Sequence, residues 1–132
     1  MKKGFTLMEL IIVVIIIGIL AMIGLPQFFN VAERGRSAEA ANLLGAIRSA
    51  QLRYYAEFSV VDTSGNCSKL DVEIGTTKYF NAPDCTGATP AGLLGTMVSK
   101  EGGYSMKTNN TAKALCCVAG TKACPKGYEA CN

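Results

Sequence analysis

The 132-residue chain contains no histidine. Its absence removes the commonest general base, the commonest metal ligand and any haem attachment of the C-x-x-C-H kind. No nucleophile is paired with a base, and the acidic residues have no spacing that recommends them for proton transfer, so an enzyme is not expected. Cationic surface is scarce too. The formal net charge is +3 and includes Lys2 and Lys3 at the extreme N-terminus, which leaves the rest close to neutral. A nucleic-acid partner held by a basic face gains no support. The scattered Lys100, Lys107, Lys113, Lys122 and Lys126 read as the solvation of a surface domain.

The largest deficit is local: from Leu10 to Ala32 no residue is charged, and Leu10–Leu25 reads LIIVVIIIGILAMIGL. As a helix this uncharged run extends ~35 Å, enough to cross the hydrocarbon core of a bilayer. Lys2 and Lys3 precede it, and the positive-inside tendency keeps them cytoplasmic while everything after the helix is exported. An ordinary secretory signal would end at a small-residue A-x-A-like site, but Leu20-Ala21-Met22 matches poorly. The unusual residues lie before the run, where Glu9 places a carboxylate at the mouth of an apolar helix.

An unpaired carboxylate in an apolar interior must stay at the headgroups, lose its charge or find a cation. A cut between Gly4 and Phe5 would create an α-amino group one helical turn from Glu9. In an array of such helices the carboxylate of one subunit could then meet the amine of another and fix their register. A plainer alternative keeps Glu9 at the interface, favouring the helix N-terminus through the macrodipole.

Further along the run, Gly18, Gly24 and Pro26 interrupt the aliphatic pattern, and a kink or loosening is expected over Leu20–Pro26. After Asn30 the pattern becomes amphipathic, with Ala40, Leu43, Ile47, Ala50, Tyr54 and Phe58 on one face to cover a sheet. Ala38, Ala41, Gly45, Arg48 and Leu52 are expected on the opposite face, where other helices could approach. Beyond Phe58 the helical pattern stops, and glycine, threonine, asparagine and proline punctuate short segments. Expected strands are Leu70–Ile74, Thr96–Ser99, Tyr104–Thr108 and Lys113–Ala119, the last two joined as a hairpin through Asn109-Asn110-Thr111-Ala112. An antiparallel sheet of three or four strands would bury Leu43, Ile47, Tyr54 and Phe58 with Val72, Ile74, Met106 and Val118. The fold class is α+β with a disulfide-stapled C-terminal region.

Six cysteines, Cys67, Cys85, Cys116, Cys117, Cys124 and Cys131, all lie in the exported half, which suits disulfides in an oxidising compartment. Six permit fifteen pairings. Neighbours on a strand point to opposite faces, so Cys116 and Cys117 take different partners. The pairing favoured joins Cys67 to Cys85 and the adjacent pair to Cys124 and Cys131. A Cys₄ zinc site fits neither spacing nor compartment. Asp62-Thr63-Ser64-Gly65-Asn66 lacks the pattern of a calcium hand and reads as a hydrogen-bonded turn. Asn109-Asn110-Thr111 matches a glycosylation sequon, a pattern short enough to occur by chance. No metal and no cofactor is expected.

The string Lys2-Lys3-Gly4-Phe5-Thr6-Leu7-Met8-Glu9-Leu10, followed by the aliphatic run, resembles the class III leader and N-terminus of type IV pilins and their relatives. The likeness is strong from Met1 to about Phe58 and weak beyond. It implies that a prepilin peptidase cleaves after Gly4 and methylates Phe5, and that Glu9 pairs with the Phe5 terminus of a neighbour. Gly18–Pro26 would extend on assembly. Residues 1–4 would then be a leader, 5–32 a transmembrane and filament-core helix, and 33–132 the head, including amphipathic helix to about residue 58. The expected function is that of a major pilin, polymerising with copies of itself into an extracellular pilus for adhesion, twitching motility or DNA uptake. An inner-membrane precursor and the inner-membrane assembly machinery belong to the same expectation. The alternatives are a periplasmic pseudopilin of a type II secretion system and, from another class, a signal-anchored binding module.

Overall fold

The computed structural model describes residues 4–75, 77–111 and 114–131. Met1–Lys3, most of the expected leader, lie outside the described residues, as do Ala112 and Lys113 of the expected hairpin. The chain divides into two units, Met1–Glu33 and Arg34–Asn132, and one helix, α1 (Leu7–Phe58), contributes to both. Within the first unit the large apolar side chains from Phe5 to Val31 are all exposed, and even the least exposed, Ile11, keeps 47% of its surface open. The helix is long and apolar enough to cross a membrane.

In the second unit a four-stranded sheet runs in the order β1 (Leu93–Val98), β2 (Tyr104–Asn109), β3 (Leu115–Ala119), β4 (Glu129–Ala130). The first two pairs are antiparallel. The expected antiparallel sheet is formed by β1 to β3, and the two-residue β4 adds a parallel pair that carries too little pattern to be seen in a sequence. Leu70–Ile74 is not a strand. Its alternation is real in burial, with Leu70 buried, Val72 and Ile74 half-buried and Asp71 and Glu73 exposed. It packs against the core without joining the ladder, because period two reports which side chains face inward and not whether the backbone is paired.

The core joins Leu44 and Ile47 of α1 to Leu70, Phe80, Met97, Tyr104, Met106 and Cys117. Met97, Met106 and Cys117 stand opposite one another across three strands on the inner face. Val118, expected in the core, lies one residue further along β3 in the row Val98, Ser105, Val118 on the outer face. The register that pairs Cys117 with Met106 on the inner face turns Val118 outward by strand parity, and Val118 is 37% exposed.

The buried seam of α1 is Ser37, Ala40, Leu44, Ile47, Ala50 and Gln51. Leu43 and Tyr54 are half-buried, and Phe58, expected in the core, is 54% exposed with its ring 4.7 Å from that of Tyr54. The expected stripe took Leu43 where the fully buried residue is Leu44 and left out the polar Ser37 and Gln51, so the seam is displaced from the expected face. Ala41, Gly45, Arg48 and Leu52 are half-buried and sit beside the seam, not opposite it. The exposed face carries Ala38, Asn42, Ser49, Arg53 and Ala56.

Helix and sheet meet closely at Gly95, beside a bulge between Leu93 and Gly95. A Cβ there would lie 3.1 Å from Ile47 Cγ2, with Leu44 and Thr108 side chains also within van der Waals reach. Gly45, by contrast, has nothing within 4 Å of where a Cβ would stand. Gly95→Ala should therefore destabilise the head by about 1–3 kcal/mol through overpacking. Gly45→Ala should stabilise it by about 0.5–1 kcal/mol through helix propensity. Denaturant unfolding of the two variants in the same detergent checks both signs.

Candidate assembly site

Gly4, Phe5 and Thr6 precede the first helical residue, Leu7. Thr6 is the N-cap. Its backbone N–H donates to Glu9 Oε2 at 3.0 Å and its hydroxyl donates to the same oxygen at 2.8 Å. The Glu9 N–H donates back to Thr6 Oγ1 at 3.3 Å. This reciprocal arrangement is a capping box. Within a single chain, then, the lone carboxylate of the apolar segment is satisfied by its own helix start. Thr6-Leu7-Met8-Glu9 carries the T-x-x-E signature, the signal that would have singled out Thr6 beside Glu9.

Nothing lies within 4 Å of where a Cβ would stand at Gly4, Gly18 or Gly24. Among the described residues no contact requires those glycines, and at Gly18 and Gly24 they leave shallow places where another helix can approach closely. The loosening expected over Leu20–Pro26 is not present in the single chain, whose helix continues through Pro26. A proline deletes one donor from the ladder while its neighbours keep theirs. The Pro26 carbonyl also accepts a hydrogen bond from Asn30 Nδ2 at 3.0 Å.

The second unit is tied together by polar side chains of α1. Gln51, fully buried, donates through Nε2 to the carbonyls of Asp62 (2.8 Å) and Leu94 (3.2 Å) and accepts from Asp62 N–H through Oε1 (2.9 Å). Glu39 accepts from the backbone N–H groups of Lys78 and Tyr79. Arg48 donates to the Asn109 carbonyl, and Arg53 forms a two-bond pair with Asp71 at 3.1 and 2.7 Å. The Arg53–Asp71 pair is exposed and contributes little by itself.

Asp62 is 1% exposed and organises the turn that follows it. Its carboxylate accepts from Ser64 N–H (2.8 Å), Ser64 Oγ–H (2.8 Å) and Lys69 N–H (3.1 Å). Burial pushes this carboxyl up, but those hydrogen bonds and the Lys69 charge outweigh it and hold the group below its ordinary value. The acidic oxygens of the turn are thus occupied by donors of their own loop. Among the described residues, no group of three His, Cys, Asp or Glu is placed to hold a metal.

Three disulfides join Cys67 to Cys85, Cys116 to Cys131 and Cys117 to Cys124. Cys117 faces the core and Cys116 the outer face, so the adjacent pair binds the C-terminal segment on both sides of the sheet. In the sequon, Asn109 is half-buried in β2 and its amide nitrogen is turned to Cys116 Sγ at 3.5 Å.

Residues 1–25 match the family described as the prokaryotic N-terminal methylation motif. The chain is 33% identical over 114 residues to the fimbrial protein EcpC of Eikenella corrodens, covering 86% of this chain and 73% of that one. It is 47% identical over 56 residues to the type IV major pilin protein PilA of Myxococcus xanthus, covering 42% and 26% of the two chains. Against the type IV major pilin protein PilE of Neisseria gonorrhoeae it is 40% identical over 60 residues, covering 46% and 36%. The chain thus spans well under half the length of these two major pilins. No solved structure matches it.

Two outcomes follow from this geometry. Thr6→Ala should weaken the start of α1 by about 0.5–2 kcal/mol, visible as faster amide exchange over Leu7–Glu9 in micelles. Because the folded Asp62 carboxyl is depressed, its contribution is complete above the ordinary carboxylate value, ~3.9, and is lost as pH falls below it toward the folded value. Asp62→Asn should flatten the acid limb of a Tm-against-pH profile of the head, and an unchanged limb would contradict this account.

Proposed function

Since the chain belongs to the type IV pilins and is a structural subunit of a pilus, we propose that it is a major pilin, built into the filament through its apolar helix. The observation that carries this reading is the exposure of every large apolar side chain from Phe5 to Val31 within its unit. So large an apolar surface must be covered by lipid or by other helices. The names of the relatives, fimbrial protein and major pilin, favour a pilus over a pseudopilus. They also leave the signal-anchored binding module without support.

In this reading residues 1–4 are a leader, 5–32 hold the precursor in the inner membrane and later the filament core, and 33–132 form the head outside. A prepilin peptidase cuts between Gly4 and Phe5 and methylates Phe5. The absence of any packing demand at Gly4 agrees with a glycine selected by the enzyme that cuts there and not by the fold. Assembly by the inner-membrane machinery exchanges lipid for copies of the same helix. Glu9, capped by Thr6 in the single chain, then gains the charged Phe5 terminus of a neighbour, which the opposite charge favours in a medium of low dielectric. Gly18, Gly24 and Pro26 are the segment where the helix extends if it does so on assembly. The finished pilus is extracellular and serves adhesion, twitching motility or DNA uptake.

Filaments sheared from producing cells should contain this chain beginning at Phe5 and carrying one added methyl group by intact-mass analysis. A chain still beginning at Met1, or found only as monomer in the membrane, would overturn the reading. Glu9→Ala should abolish filaments while leaving the head folded by thermal melting. Wild-type filament yield from that variant would remove Glu9 from assembly.

A further inference from the structure

The three main strands, β1 to β3, form a ladder with two edges, and along each edge lies chain that carries almost no regular structure. Along β1 the cover is the segment from Tyr79 to Thr89. Asn81 N–H donates to the Val98 carbonyl, Asp84 and Thr96 exchange both backbone bonds, and Thr89 N–H donates to the Leu93 carbonyl, all at 2.8 Å. Along β3 the cover is β4, with Cys116 opposite Glu129, Cys117 opposite Ala130, and Cys131 N–H donating to the Cys117 carbonyl at 3.0 Å. An irregular strap and a two-residue parallel strand are both far below the length at which strands hold themselves in place. Each is pinned beside its ladder bonds by a cysteine: Cys85, next to Asp84, is bonded to Cys67, and Cys131, next to Ala130, is bonded to Cys116.

We propose that Cys116–Cys131 acts as an edge guard, holding β4 on β3 so that heads cannot join by strand addition to a second copy of this chain, while Cys67–Cys85 ties the strap along β1 to the loop that precedes it. The edge at greatest risk is β3. Leu115–Ala119 reads LCCVA, without charge, proline or glycine, and such a segment pairs readily with its own copies once its edge opens. Cys117–Cys124 serves a different purpose, since its ring closes before β4 begins and leaves the cover to the outer bond. A subunit that is concentrated by its apolar helix brings many heads together, which makes the closed edges matter.

The test compares two double variants of the full chain in detergent micelles, where the apolar helices are kept apart. Cys116→Ala with Cys131→Ala should speed amide exchange within Leu115–Ala119 by roughly tenfold or more and yield thioflavin-positive aggregates whose growth rises with protein concentration. Cys117→Ala with Cys124→Ala should do neither. Adding Val118→Lys to the first variant, on the outer face of the strand, should abolish the thioflavin signal while exchange stays fast. Equal behaviour of the two double variants, including unfolding of both, overturns the proposal. So does a first variant without thioflavin signal, or a signal that survives Val118→Lys.

Discussion

The apolar side chains from Phe5 to Val31 are exposed within their own unit, and most other features of the molecule follow from that. A helix in this state is stable only in lipid or against other helices, because its surface in water would far exceed the apolar patches that soluble monomers tolerate. The head must then build its core without help from this part of α1. It does so with the second part, whose seam of Ser37, Ala40, Leu44, Ile47 and Gln51 meets the inner face of the sheet. One helix thus presents bare aliphatic surface in one unit and a selective, partly polar seam in the other.

Polar side chains of the helix, above all Gln51 in the seam, explain how so much irregular chain stays ordered. Among the described residues between Phe58 and Leu93 there is no regular strand, yet the segment is held at several places by side chains of the helix. Glu39 takes the N–H groups at Lys78 and Tyr79, Gln51 takes both backbone groups of Asp62, and Arg53 takes Asp71. Gln51 also reaches the Leu94 carbonyl of β1, so one amide connects helix, loop and sheet. Buried and fully paired, it fixes their relative positions in a way an aliphatic residue of the same volume could not.

These long-range contacts mark the limit of what could be read in advance. The apolar run, the α+β class, the β2–β3 hairpin and the staple of the C-terminal region are local signals of composition and period, and they were legible. Gln51 was not, because a hydrophobic pattern discounts a polar residue whose partners lie far along the chain. Val118 was misplaced because parity needs a register, and register is set by the partner strand. The parallel β4 left no trace at all, since two residues have no period and are held by a covalent bond to Cys116. At the N-terminus the opposite holds. Thr6-x-x-Glu9 is a local signature that could have been read beside the motif it belongs to.

The exchange of lipid for other helices also limits what can drive assembly. Moving an apolar side chain out of water is worth about 1.5–3 kcal/mol, but the aliphatic residues of Leu10–Leu25 would already be out of water in a bilayer. Passing from lipid to a bundle of like helices therefore gains little from the hydrophobic effect, and the balance falls to close packing and polar pairing. On the proposed reading Gly18 and Gly24, where a Cβ would meet nothing within 4 Å among the described residues, would provide the first. Glu9 would provide the second, and its capping box means that the competing state is not a bare charge but a carboxylate already holding Thr6. The net difference between membrane and filament is then small in either direction, while the difference between filament and water is large. On the proposed reading a subunit of this kind would pass between bilayer and polymer at modest cost and would not be lost to solution from either.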